Sequence, residues 1–349
     1  MHSQKKLLCV RRADRFHAII SVMKRWKDLQ PITRYLILLA ITLGLLINFG
    51  SVCAHYVREW IKTAQAPVTE TEAPVQPSAA PTPSSVPEAR KDTTGSYTVE
   101  EHPITLENKY IFGKTYLPDD GKDTHPLVIL CHGIGTNHFH AEPFAKRFAE
   151  HGIAAYAFDF CGGGDPIQSS GTLYDMSVHT EEEDLKDVLR HLQETGIAKD
   201  QPIILLGMSQ GGYVVTETAA DLPDEIAGLI LLFPAFNIND LISAEFSSPE
   251  DVPESVTIFD QTVSRRYFVD AMNEPILEDM KQYAGPVLLL HGRNDPIVPA
   301  QYSLDAAEQF PNAEVHLIDG TEHGFFGPHE DEAIAYCMEF LKSSGIIQN

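Results

Sequence analysis

Six short apolar runs, each closed by Gly, Pro or Asp and separated by stretches of helical periodicity, leave few folds open to this chain. They are "PLVILCHG" (126–133), "IAAYAFDF" (153–160), "PIILLG" (202–207), "GLILLFP" (228–234), "PVLLLHG" (286–292) and "AEVHLIDG" (313–320). Runs of this length and continuity describe strands buried in a parallel sheet. Helical patterns near 141–151, 179–195, 211–221, 301–310 and 330–343 supply the crossovers. "YIFGKTYLP" at 110–118 reads as part of an initial hairpin. The expected class is α/β, with a mostly parallel central sheet and helices on both faces. In such sheets function collects at the carboxyl ends of the strands. Residues 235–285 break the pattern: they are polar, interrupted by Pro, without an apolar run of strand quality, and hold one expected helix near 264–272. Inserted between two strands, they predict a small cap above the strand ends.

The sheet pattern starts only near residue 97. Residues 1–34 form a basic segment with nine Lys or Arg against Asp14 and Asp28, while the remaining 315 residues carry 17 basic and 47 acidic side chains. So acidic a body argues against a nucleic-acid partner. Residues 35–54, "YLILLAITLGLLINFGSVCA", contain no charge and are long enough to span a bilayer core. Basic residues ahead of the span place the N-terminus in the cytoplasm and the body outside. The expectation is a single-pass membrane anchor; cleavage after "VCA", giving a secreted body, is the alternative. Residues 55–96 contain the Pro-, Thr- and Ser-rich stretch "TAQAPVTETEAPVQPSAAPTPSSVPEARKDTTG" and read as an extended tether. The domain is expected to fill 97–349. Its cysteines are Cys131, Cys161 and Cys337. Export would permit a Cys131–Cys161 bridge, but two separately buried thiols are the preferred reading.

"PIILLGMSQGG" sets Ser209 between glycines after a buried run and before a helical one, the setting a strand-to-helix nucleophile turn requires. A hydroxyl needs a base, and the base an orienting acid. "LLLHGRNDPIVP" offers Asp295 at the end of a later strand, and "LIDGTEHGFFGP" offers His323 in the loop after the next. Each has a plainer alternative, Asp295 as a turn residue before Pro296 and His323 as an ordinary loop histidine. In "CHGIGTNHFH" the glycines let the backbone turn its amides inward, so the Ile134 N–H, with the Gln210 N–H, are candidate donors to an oxyanion. His132, His138 and His140 have spacing that allows a metal, but no Cys or carboxylate completes a set and the serine chemistry needs none. No cofactor is expected.

With these motifs in place, residues 97–345 resemble the α/β-hydrolase superfamily, and within it the bacterial cinnamoyl (feruloyl) esterases. The resemblance is carried by "HGIGTN", "AEHGIAAYAFDFCGGGDP", "DMSVHTEEEDL", "GMSQGG", "HGRNDPIVP" and "GTEHGF". It implies Ser209 as nucleophile, His323 as general base, Asp295 as its partner, and Ile134 and Gln210 as oxyanion donors. It also implies a cap that holds an aromatic acyl group, with Tyr267 in "SRRYFVDAMNEP" and Asp240 in "NINDLI" as polar contacts. The chain departs from the family at Cys161 to Gly164, where Arg-Gly-His-Gly is common. The implied activity is a serine carboxylesterase acting on hydroxycinnamoyl or other small acyl esters, free or linked to polysaccharide. A serine peptidase of the same fold and a non-catalytic surface-binding relative are the alternatives. Oligomeric state is not legible.

Overall fold

The computed structural model describes residues 95–274 and 276–348. The basic segment 1–34, the apolar span 35–54 and nearly all of the tether 55–96 therefore lie outside the described residues. Among the described residues no helix is long and apolar enough to cross a membrane.

The apolar runs form one eight-stranded sheet of β1 (Tyr97–Glu101), β2 (Gly113–Pro118), β3 (Leu127–Cys131), β4 (Ala154–Phe158), β5 (Ile203–Met208), β6 (Gly228–Leu232), β7 (Val287–Gly292) and β8 (Ala313–Ile318). Their spatial order is β1-β2-β4-β3-β5-β6-β7-β8. β2 runs antiparallel to both β1 and β4, whereas β3 to β8 pair in parallel. Each of the six expected strands is present, and the hairpin near 110–118 is completed by β1. β3 through β7 are buried at every position. That is why they read as continuous apolar runs rather than alternating ones.

Helices α1 (His138–Glu150), α2 (Val178–Glu194), α3 (Gln210–Asp221), α4 (Ile238–Glu245), α5 (Arg265–Asn273), α6 (Ile276–Gln282), α7 (Gln301–Gln309) and α8 (Pro328–Ser343) surround the sheet. Successive strand residues divide between two cores. Ile129 and Cys131 face one with Leu185, Val188 and Val214 of α2 and α3. Val128 and Leu130 face the other with Phe144 and Phe148 of α1 and Ile334, Cys337 and Leu341 of α8. Cys131, Cys161 and Cys337 are free thiols, so no bridge joins the first two.

The insert is richer in structure than its sequence suggests. Residues 235–285 contain α4, α5 and α6 and an antiparallel hairpin, Ser255–Ile258 with Gln261–Ser264. The expected helix at 264–272 is α5. The hairpin was not legible because its strands are four residues long and only half-buried, and its turn residues carry no Gly. Phe259 and Asp260 take positive φ of 49° and 61°, a conformation in which Gly or Asn is the usual sequence signal. Ser177, the N-cap of α2, donates through Oγ to Asp270 of α5 at 2.6 Å, joining the cap to the body.

Candidate active site

Ser209 is the single residue between the buried strand β5 and helix α3, and it holds φ 53° and ψ −119°. A non-Gly residue there is strained. The strain is tolerated because the turn is fixed from several sides. Ser209 N–H donates to the Leu232 carbonyl at 3.0 Å, and its own carbonyl accepts from Ala235 N–H at 2.9 Å. The flanking glycines are needed for room: a Cβ on Gly207 would collide with the Gly211 backbone, and one on Gly211 with the carbonyls of Cys131 and His132.

β7 and β8 end beside this turn. His323, in the loop after β8, has Nε2 3.0 Å from Ser209 Oγ and Nδ1 2.6 Å from Asp295 Oδ2. A proton on Nδ1, donated to the carboxylate, leaves Nε2 free to accept from the serine hydroxyl. Asp295 sits in the loop after β7 with its side chain fully buried. Its Oδ1 accepts from the N–H groups of Ile297 (2.8 Å) and Val298 (3.0 Å), and Oδ2 also accepts from His291 Nε2 at 3.2 Å. Burial pushes the Asp295 carboxyl up, but the hydrogen bonds from His291, His323, Val298 and Ile297 outweigh it and hold the group well below the usual carboxylate range. Phe233, at positive φ, packs edge-on against the His323 ring with centroids 4.8 Å apart.

The loop between β3 and α1 closes the other side. His132 is locked at both nitrogens, donating from Nδ1 to the Gly133 carbonyl and accepting at Nε2 from Phe160 N–H. His138 donates from Nδ1 to Asp159 at 2.6 Å. The metal alternative finds no geometry: among the described residues, no three His, Cys, Asp or Glu side chains are grouped to hold an ion. The chain departs from the usual pattern at Cys161 and Gly163, whereas Gly164 keeps it and lets its segment lie against this loop, because a Cβ there would overlap the Gly135 carbonyl. Among the described residues, no hydrogen bond takes the N–H of Ile134 or Gln210.

Ser209 lies where two chambers meet. The cap-side chamber, about 480 Å³, is lined by Ile134, Gln210, Ile238, Ile242, Phe246 and Tyr267 among others. The other, about 260 Å³, is lined by Phe144, Met208, Phe233, His323, Phe325 and Phe326 among others. Tyr267 is thus on the cavity wall as expected, but its hydroxyl already donates to Gln210 Oε1 at 2.8 Å. Asp240 belongs to neither lining: it is exposed, and its carboxylate accepts from Tyr302 at 2.7 Å. It points away because α4 turns its apolar face, Ile238 and Ile242, to the cavity.

Sequence reasoning missed Glu181, a fully buried α2 carboxyl whose Oε2 accepts from Gln210 Nε2 at 2.8 Å. Burial raises this carboxyl to about 8 despite that hydrogen bond. The Gln210 side chain is therefore clamped between the body at Glu181 and the cap at Tyr267. The signal available was the "TEEEDL" run, but three consecutive Glu give no hint of which one turns inward.

A sheet in this order, with a strained serine after the fifth strand, is the architecture of the α/β-hydrolase fold. The matches agree. A family model described as "Serine aminopeptidase, S33" covers residues 122–268, and one described as "alpha/beta hydrolase fold" covers 254–330. The chain is 26% identical to a monoacylglycerol lipase of Mycolicibacterium smegmatis over 61% of this chain and 86% of that one. It is 28% identical to human monoglyceride lipase over 45% of this chain, spanning only 46% of that enzyme's length. Among solved structures, Est1E of Butyrivibrio proteoclasticus with ferulic acid bound superposes with a TM-score of 0.63 at 24% identity, over 68% of this chain and 98% of that one. The chain has the α/β-hydrolase fold and resembles bacterial esterases. The relatives it matches include lipases and a ferulic-acid-bound esterase of this fold.

Proposed function

We propose that the protein is a serine carboxylic-ester hydrolase working through an acyl-enzyme on Ser209. The observation that carries this reading is the continuous chain from Ser209 Oγ to His323 (3.0 Å) to Asp295 (2.6 Å) at the strand ends. His323 takes the serine proton as Oγ attacks the ester carbonyl, and the ionised Asp295 stabilises the imidazolium that results. The N–H groups of Ile134 and Gln210 receive the negative charge of the tetrahedral oxygen, helped by the N-terminus of α3. His323 then passes its proton to the departing alcohol, and a water repeats the sequence to release the acid.

The cap-side chamber supports an apolar or aromatic acyl group, hydroxycinnamoyl included, with Tyr267, Gln210 and Asn237 as its buried polar groups. Its one acidic lining residue, Glu245, is exposed, so no buried carboxylate there awaits a free α-amine. That favours an ester over an aminopeptide substrate. The basic segment followed by the charge-free span at 35–54 supports an anchored enzyme with its active domain outside the cell.

The test is hydrolysis of short chromogenic esters by the wild type and by Ser209→Ala. Loss of turnover by more than about a thousandfold with an unchanged circular dichroism spectrum is expected. A variant as active as the parent removes the nucleophile assignment.

A further inference from the structure

The two chambers differ in one respect that assigns them. Whatever alcohol leaves the acyl-enzyme must take its proton from His323 Nε2, so the leaving oxygen has to lie on the His323 side of Ser209. His323 lines the 260 Å³ chamber and not the 480 Å³ one. On the reading that Ser209 is the nucleophile, the acyl group therefore occupies the cap-side chamber and the alcohol occupies the smaller one.

The wall of the smaller chamber is mostly apolar and uncharged. Met208, Phe144, Phe233, Phe325 and Phe326 face it, with Ile258, Ile297 and Phe259 shared from the cap and the β7 loop. No Asp, Glu, Lys or Arg is among its lining residues. Of its polar groups, the Thr136 hydroxyl donates to the Gly133 carbonyl at 2.8 Å, and His140 stands exposed. That leaves Gln261 and the His140 ring as the lining side chains able to meet a hydroxyl. A glyceryl or glycosyl group would press several hydroxyls against aromatic rings, where each unmade hydrogen bond is costly. An alkyl or aryl group instead exchanges water for ring faces at no such cost. At roughly the liquid volume of nine waters, the chamber holds a group of butyl or benzyl size.

We propose that the substrates are esters apolar on both sides of the carboxyl group: an apolar or aromatic acid joined to a small aliphatic or aromatic alcohol, rather than to a polyol or carbohydrate. The experiment holds the acyl group at 3-phenylpropanoyl and varies the alcohol through methyl, butyl, benzyl, 1-glyceryl and 5-arabinosyl. Each kcat/KM is divided by that ester's hydroxide rate, which removes differences in leaving-group reactivity. Butyl and benzyl esters are expected to exceed methyl by about tenfold or more, with glyceryl and arabinosyl esters at or below methyl. Phe326→Ser, at a ring that is 73% exposed, should lower the benzyl-to-methyl ratio several-fold while the melting temperature stays within a degree or two. Glyceryl or arabinosyl esters cleaved as well as butyl would overturn the assignment while leaving the serine mechanism standing. Turnover of every ester no better than in Ser209→Ala would overturn both.

Discussion

Asp295 carries more of the site than its exposed neighbours suggest. Its two oxygens accept four hydrogen bonds, from His291, His323, Ile297 and Val298. They orient the imidazole and pin the loop after β7 together. An amide in this place keeps the shape but offers a donor where an acceptor is needed, so Asp295→Asn should turn His323 to the wrong tautomer. The expected result is a kcat lower by on the order of 10³- to 10⁴-fold with little change in KM, measured on the short ester that the wild type cleaves best. A loss below tenfold would show that the carboxylate only braces the loop. Residue-level reading of the sequence reached Ser209, Asp295 and His323 because each sits in a punctuated loop at the end of a continuous apolar run. It did not reach Glu181 or Phe233, whose roles depend on which way a side chain turns after packing, nor the exposure of Asp240.

At the scale of elements, the contact of α3 with α2 and α6 holds an unresolved conflict of charge. Glu217 on α3 is buried, and neither carboxylate oxygen has a partner. Burial, reinforced by Glu274, Glu182 and Asp279 and opposed by Lys186, raises Glu217 to about 10. Folded Glu217 thus keeps its proton while the unfolded chain loses it above about pH 4.5. Stability is complete below that value and falls as pH rises toward 10. Glu217→Gln removes the titration and should gain about 1–3 kcal/mol over wild type at pH 8, with little difference at pH 4.5, by urea unfolding. A gain equal at both pH values would mean that packing, not ionisation, is responsible. The cap elements around this contact were the part of the fold least legible beforehand. Short half-buried strands and a Gly-free turn leave no periodic signal, so the hairpin that puts Ile258 and Phe259 over Ser209 appears only in three dimensions.

For the whole molecule the same signs combine into a pH window. Asp295 and Asp159 are held below the usual carboxylate range, so their contribution is present above about pH 4 and is lost as pH falls through their folded values. Buried His132 is lowered to about 4, which disfavours folding progressively as pH drops below about 6.5. Glu181 and Glu217, raised to about 8 and about 10, act in the opposite direction and weaken the fold as pH rises above about 4.5. Asp279, raised to about 6, joins them. The raised carboxyls outnumber the two lowered histidines, His132 and His102, so thermal stability should peak near pH 5 rather than at neutrality. Melting scans from pH 3 to 9 check this, and a midpoint that climbs steadily from pH 5 to 8 would contradict it.

The sequence by itself determined the parallel strands, the helices on both faces and the order of Ser209, Asp295 and His323. Those depend on unbroken apolar runs and on Gly, Pro and Asp at their ends, which are local properties of the chain. Tertiary structure alone decided the division of the cavity at Ser209, the clamp of Gln210 between Glu181 and Tyr267, and the removal of Asp240 to the surface. Each arises where elements far apart in sequence meet, and packing rather than local pattern fixes which face of a helix or hairpin turns inward.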